Sequence, residues 1–469
     1  MRKIVIARLL IVVAGLALAT GQVLAQETTG TLQGTVEDQQ EARVPGATVT
    51  ITSAQGSRSV TTDSEGRFRV PFLTPGVHTV RAALAGFKAA EVRDINLRVG
   101  QTLVVALRLE VGAQTEVVQV VGALPVIDRA TTTLGGTLDS EVLARIPIGR
   151  RITDTVYLLP GVSNSGQVGT ANPSVSGGTG LENQYIVDGV SITNTGYGGV
   201  GSYSIVFGSL GTGLPYDWMK SIQVKSGGFE AEYGQTTGGI INVITKSGSN
   251  AFSGTAYSYF RPQALEAGWK QMTQVNGKVN TTAFKTNDVG FQLGGPVVRD
   301  KIFFIAGVNP LWETRTFVAP AGFPLRSLGG QSRKRRIVNY SAKVTFQLSN
   351  NHRLDASFFG DPAHGEMGPQ RSAELKKTNT AGFSSIDYGG HQQVVKWDGI
   401  FGPRWLAEAS FGRSKNNIEE RPSVNEWSVR DRTVTPNIFS GGIGFYEVGN
   451  NGENRQYQGQ VHQQLPGRT

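Results

Sequence analysis

The sequence predicts a mainly β chain in three parts: a small β-sandwich, a glycine-rich α/β unit, and an incomplete antiparallel transmembrane β-barrel. Three observations predict it. Residues 29–112 carry short β-prone runs spaced by turn chemistry at about 8–12 residues. Beyond residue 250, apolar and polar residues alternate with a period of two, as in a strand with lipid on one side and a polar lumen on the other. Glycine supplies 61 of 469 residues, roughly twice its average share, while only 17% are charged, which suits close-packed, turn-rich β structure.

The first residues read as an export signal. Arg2, Lys3 and Arg8 are basic, residues 9–19 are apolar, and Val23-Leu24-Ala25 offers short side chains to a signal peptidase, so residues 1–25 are expected to be removed. The apolar run is shorter than the roughly 20 residues a spanning helix needs. No later run reaches that length, so membrane residence requires a barrel. There is no cysteine, which excludes disulfides, thiolate metal sites, cysteine nucleophiles and lipidation of an N-terminal cysteine. The net charge of +9 raises the question of nucleic acid. The basic residues are scattered apart from Arg333-Lys334-Arg335-Arg336, and no aromatic-basic platform accompanies them, so nucleic acid is set aside as a partner.

In the sandwich, strands are expected at 31–37, 48–53, 67–71, 78–83 and 103–109. Turns fall at Pro45-Gly46, Asp63-Ser64-Glu65-Gly66 and Pro75-Gly76, where proline presets φ or glycine accepts a positive φ. The runs Gly34-Thr35-Val36, Val44-Pro45-Gly46-Ala47-Thr48-Val49, Thr62-Asp63-Ser64-Glu65-Gly66-Arg67-Phe68 and Leu73-Thr74-Pro75-Gly76 resemble a carboxypeptidase-regulatory-like domain, assigned to 29–112. That resemblance raises a zinc peptidase, which needs a His/Glu ligand set with an open metal position. The histidines are at 78, 352, 364, 391 and 462, none in an HExxH or HxxE spacing. The expectation is therefore no catalytic residue, no metal and no cofactor.

After the sandwich comes a β-prone strip at 115–122, containing Glu116, Val117, Val118, Gln119, Val120 and Val121. Two readings stand: an edge strand of the next unit, or a TonB box that an energising protein captures by strand addition. Its position matches TonB-dependent outer-membrane receptors of the Oar-like and SusC-like type. Residues 123–248 carry further resemblances to the plug domain of that group. They are Leu143-Ala144-Arg145-Ile146-Pro147-Ile148-Gly149-Arg150, Leu158-Leu159-Pro160-Gly161-Val162, Asn183-Gln184-Tyr185-Ile186-Val187-Asp188-Gly189-Val190 and the run from Ile222 through Tyr233-Gly234 to Thr245-Lys246-Ser247-Gly248. The resemblance implies a plugged barrel in the outer membrane with a periplasmic N-terminal domain. It also implies a TonB-type energising partner and an extracellular ligand, with carbohydrate among the classes considered.

In 251–469, strands are expected near 252–261, 286–297, 301–309, 338–348, 352–360, 391–401 and 404–414, with a weaker eighth near 455–465. The connections alternate between long polar loops (262–285, 310–337, 361–390, 415–454) and tight turns (298–300, 349–351, 402–403). Short periplasmic turns and long outer loops characterise outer-membrane barrels, so the first strand should rise from the periplasm. A plugged transporter barrel has about 22 strands, and the expectation is that this sequence holds only its N-terminal part.

Active import is the leading functional reading. A surface adhesion or interaction role on the same architecture is the alternative, and an enzyme is set aside because no nucleophile–base or metal constellation appears. Tyr197, Tyr203, Phe207, Tyr216 and Trp218 invite two readings, stacking on a flat ligand or packing the plug against the wall, and packing is favoured. The run at 333–336 is expected at the end of an outer loop as a solvated charge cluster, with lipopolysaccharide phosphates as the alternative contact.

Overall fold

The computed structural model describes residues 28–112, 117–119, 133–146, 149–165, 172–194, 197–204, 207–211, 214–229, 233–234, 236–265, 280–371, 375–402 and 405–463. The expected signal peptide lies outside them. Among the described residues no helix is long and apolar enough to cross a membrane.

The N-terminal unit is a two-sheet sandwich. Its strands are β1 (Gly30–Glu37), β2 (Thr48–Ser53), β3 (Gly56–Thr61), β4 (Arg67–Leu73), β5 (Gly76–Ala83), β6 (Ala89–Leu97) and β7 (Thr102–Arg108), with a short β8 (Val117–Gln119) beyond. One sheet has the order β4-β1-β7 and the other β3-β2-β5-β6-β8. Alternation decides the faces: in β1, Leu32 and Val36 are buried beside Leu103, Val105 and Leu107 of the neighbouring β7, and across the core this face meets Val49, Ile51, Val80 and Ile95 of the other sheet. β3 and β6 were not expected. β3 carries a single apolar side chain, Val60, which packs against the core, so it gave no apolar period to read.

The second unit contains β9 (Leu134–Asp139), α1 (Ser140–Arg145), α2 (Ile152–Thr155), β10 (Val162–Asn164), β11 (Pro173–Val175), β12 (Gln184–Val187), β13 (Val190–Ser191), β14 (Ser202–Ser204), β15 (Gly208–Leu210), β16 (Met219–Gly227) and β17 (Ile240–Thr245). Its central sheet runs β13-β12-β17-β16-β9, with β12 and β17 parallel and the other neighbours antiparallel. Every residue of β17 is buried, which accounts for its nearly unbroken apolar run: both faces are covered.

The third unit is a single antiparallel sheet of β18 (Ser253–Arg261), β19 (Asn280–Val298), β20 (Ile302–Val318), β21 (Gly330–Ser349), β22 (His352–Gly360), β23 (Ala363–Gly368), β24 (Ser384–Phe401), β25 (Trp405–Pro422) and, after the small hairpin β26 (Ser428–Asp431) and β27 (Ile438–Gly441), β28 (Asn450–Gln463). Its order is β18-β19-β20-β21-β22-β24-β25-β28, and β23 bridges β21 and β24 above β22. The expected alternation appears as a curved wall with two chemistries. Val289, Phe291, Leu293, Leu348, Trp405 and Val461 face outward, while Asp288, Gln292, Asn339, Lys343, Thr345, Lys396 and Asp398 are buried on the other face.

The strands are longer than expected. The expected loop 310–337 shrinks to 319–329, β19 begins at 280, β24 begins at 384 and β25 continues to 422. Beyond the hydrocarbon both faces of a strand can be polar, so the period of two fades while the hydrogen-bonded ladder continues. Thus Arg333, Lys334, Arg335 and Arg336 belong to β21, paired with 312–315, and not to a loop. The outer connections also hold a small core of their own, formed by Phe317, Phe323, Leu325, Leu375 and Phe383.

Candidate functional site

The three units meet at one polar junction. The turn between β12 and β13 places Asp188 (φ 49°) and Gly189 (φ 84°) at the two positive-φ positions of a tight hairpin. The Asp188 carboxylate, 5% exposed, turns back onto the sheet and out to the wall. It accepts from Thr245 N–H (3.0 Å), Thr245 Oγ1 (2.6 Å), Ser357 Oγ of β22 (2.8 Å) and Lys343 Nζ of β21 (3.1 Å). One carboxylate therefore ties two plug strands to two wall strands. Beside it Arg353 grips Asp355 through two hydrogen bonds of 2.7 and 3.0 Å, and Lys396 stands 3.3 Å from Asp398 and 3.5 Å from Glu408. These charges are buried but matched, the condition under which such groups stay ionised away from water. A cavity of about 30 Å³ lies among Asp188, Lys343, Arg353, Asp355 and Lys396, room for a water or two.

The sandwich closes this junction from below. Lys396 Nζ donates to Thr28 Oγ1 (2.6 Å), Arg353 Nη1 to Gln55 Oε1 (3.3 Å), Gln55 Nε2 to Gly248 O (2.9 Å) and Asn250 N–H to Ala54 O (3.0 Å). Burial, and then the neighbouring Arg353, lowers the Arg58 guanidinium to about 10.

A second tie is Arg150. It pairs with Asp217 of its own unit and Asp288 of the wall, and its guanidinium lies 4.5 and 4.3 Å from the ring centres of Tyr257 and Tyr259. The path continues across the wall, where Asn309 Nδ2 donates to Asp288 (2.5 Å) and Asn339 Nδ2 to Asn309 Oδ1 (3.0 Å). Apolar packing joins the units as well: Phe359 and Val394 of the wall share a core with Tyr185, Val187, Trp218 and Val243.

At the far end Phe207 and Leu210 pack on Ala363, Ile386, Tyr388 and Ile418. Arg335 and Arg371 stand 5.8 and 5.6 Å from the Phe207 ring. Arg371 is held by Glu420, and Arg333 lies 3.4 Å from Glu313. Of the aromatics singled out in the sequence, Trp218 (1% exposed) and Phe207 pack, whereas Tyr197 is exposed. Among the described residues no group of three or more His, Cys, Asp or Glu is placed to hold a metal.

Of the strip residues, Glu116, Val120 and Val121 lie outside the described residues. Val117, Val118 and Gln119 form β8, which runs parallel to β6 with Ala89 opposite Val117, Ala90 opposite Val118 and Glu91 opposite Gln119. Sequence reasoning missed this pairing, and it missed the Asp188 junction. The junction had a visible signal in the ionisable residues Lys343, Arg353, Asp355, Lys396 and Asp398, all at lumen-facing positions of membrane strands, where charge is costly unless paired.

Comparison with known proteins places these features. Residues 31–110 match the carboxypeptidase regulatory-like domain and residues 244–321 the outer membrane beta barrel domain. The TonB-dependent transporter Oar of Myxococcus xanthus is 31% identical over 388 residues, covering 75% of this chain and 35% of that protein. The probable TonB-dependent siderophore receptor PirA of Acinetobacter baumannii is 29% identical over 178 residues, 36% of this chain and 21% of that one. Among solved structures, the outer membrane transporter YddB of Escherichia coli aligns with a TM-score of 0.49 at 17% identity, over 70% of this chain and 45% of that one. A regulatory-like sandwich followed by a unit seated on the polar face of an outer-membrane β-sheet defines a plugged outer-membrane receptor. The chain is similar to TonB-dependent receptors of the Oar-like type, and it spans about a third of the length of the Oar protein it matches.

Proposed function

We propose that the chain supplies the coupling and plug portion of an importer that binds a ligand outside the cell and is energised through a TonB-type protein. In this reading residues 116–121 are the coupling site and the sandwich lies in the periplasm. The supporting observation is that Val117–Gln119, between sandwich and plug, is held as a strand by main-chain pairing with β6, the form in which a strand-adding partner recognises a segment. The sandwich contacts the Asn250–Asp300 turn region at the short-turn end of the wall, the end that faces the periplasm in such barrels. Arg333 and Arg335 on the lumen face of the outer vestibule favour an anionic ligand over a neutral carbohydrate, and Arg333 Nε is buried with no hydrogen-bond partner among the described residues. No catalytic step is part of this reading.

The test is binding of a TonB C-terminal periplasmic domain to the detergent-solubilised chain. Val118→Pro or Val120→Pro removes a main-chain donor and fixes φ, and each is expected to abolish binding, while Gln119→Ala changes it little. Parent-like binding by both proline variants would refute the assignment. The adhesion reading then gains weight, supported by the independent outer-loop core around Phe317 and Phe383 and by the exposed Trp427 (87%).

A further inference from the structure

We propose that the β6 edge of the sandwich is a presentation surface. It holds the segment 117–119 as a ready strand, and the extended strand of an energising partner adds to the outer edge of that segment. The inference rests on the coupling reading above and deepens it. β6 has β5 on one side, and β8 is the last strand of that sheet, with no further strand paired to it among the described residues. An edge strand exposes a row of main-chain donors and acceptors that templates the next strand.

The chain is delivered to this edge by design of the preceding segment. Leaving β7, it bonds the start of β6 through Lys88 N–H to Glu110 O (2.7 Å) and Gly112 N–H to Gly86 O (3.2 Å). It then returns parallel to β6 at Ala89, Ala90 and Glu91. Further along β6, past the buried Val92, Arg93 and Asp94 are exposed and Asp94 turns to a φ of 57°. Among the described residues the pairing comprises three residue pairs in the slightly weaker parallel arrangement. That is enough to pre-order the strand and leaves it detachable under load. A partner meeting a pre-formed edge is spared the entropy of ordering those residues.

The chain contains no cysteine, so a Glu91→Cys, Gln119→Cys pair gives one possible disulfide. In the full chain in detergent, mild oxidation is expected to form it readily, and slower with Arg93→Cys in place of Glu91→Cys. The oxidised chain is expected to bind a TonB C-terminal domain as tightly as the reduced chain, or up to about tenfold more tightly. Failure of the in-register disulfide to form would show that the segment does not dock on β6. A loss of binding on oxidation, restored by reductant, would show that docking withholds the strip, and either result overturns the proposal. If Val118→Pro also leaves binding intact, the coupling reading itself fails; if that variant loses binding while no disulfide forms, only the presentation proposal does.

Discussion

Asp188→Asn isolates the charge at the junction. The amide keeps the shape and still accepts from Thr245 N–H, but Lys343, 6% exposed, keeps its charge and loses its carboxylate. The hydrogen-bond partner that remains for Lys343 Nζ is Thr245 Oγ1 at 3.3 Å, and of the carboxylates Asp355, already gripped by Arg353, still interacts with its charge. Removing one member of a buried ion pair costs about 3–5 kcal/mol, because the orphaned charge stays out of water. Both partners join plug to wall, so this cost falls on plug seating. About 3 kcal/mol corresponds to a shift of roughly a hundredfold in the opening equilibrium. Hydrogen exchange by mass spectrometry on the segment 188–194, in detergent micelles, reads that shift, since Ser191 N–H donates to Gln456 Oε1 of the wall (3.2 Å) only while the plug is seated. The expected result is exchange faster by roughly two orders of magnitude in Asp188→Asn. Adding Lys343→Met should recover most of the protection, because a buried pair replaced by apolar volume is often neutral. Exchange within about twofold of the parent, or no recovery in the double variant, would refute the claim that this ion pair seats the plug.

Three further outcomes are expected. Phe291→Lys places a charge on the outward face, where Phe291 is 51% exposed; the cost should be about 2–4 kcal/mol at the bilayer midplane, seen as reduced incorporation into liposomes, with Gln292→Lys on the lumen face milder. Gly34→Ala puts a Cβ 1.7 Å from Val105 O, a backbone clash between β1 and β7, and should destabilise the sandwich by about 1–3 kcal/mol or more in urea melts. His78 is 2% exposed, with Nε2 2.9 Å from Thr74 O, and burial holds its pKa below the usual value. The unfolded chain therefore binds the proton more readily, so sandwich stability should be full above about pH 6.5 and fall as the pH drops below it; a melting temperature that is flat or rises on acidification would contradict this, and His78→Gln should flatten the profile.

Periodicity made much of this protein legible. The sandwich strands at 31–37 and 48–53, the outward set Val289-Phe291-Leu293 and the tight Asp188-Gly189 turn follow from local rules, because which face is buried leaves a mark on every second residue. All eight expected wall strands appear, in the expected order. Strand ends were not legible, because outside the bilayer nothing apolar alternates and only the neighbour's ladder keeps β21 extended through Arg333 and Arg335. The resemblance to the Oar-like group indicated a plug, but only the tertiary structure decided which charges face each other: Asp188 meets Lys343 and Ser357 across more than 150 positions of sequence. The same holds for Val117–Gln119. Its composition marked a strand, yet its partner on β6 is selected by where the 110–112 crossing delivers the chain. A strand's own residues set its propensity and its faces, whereas its neighbour is set by which unpaired edge the fold leaves within reach.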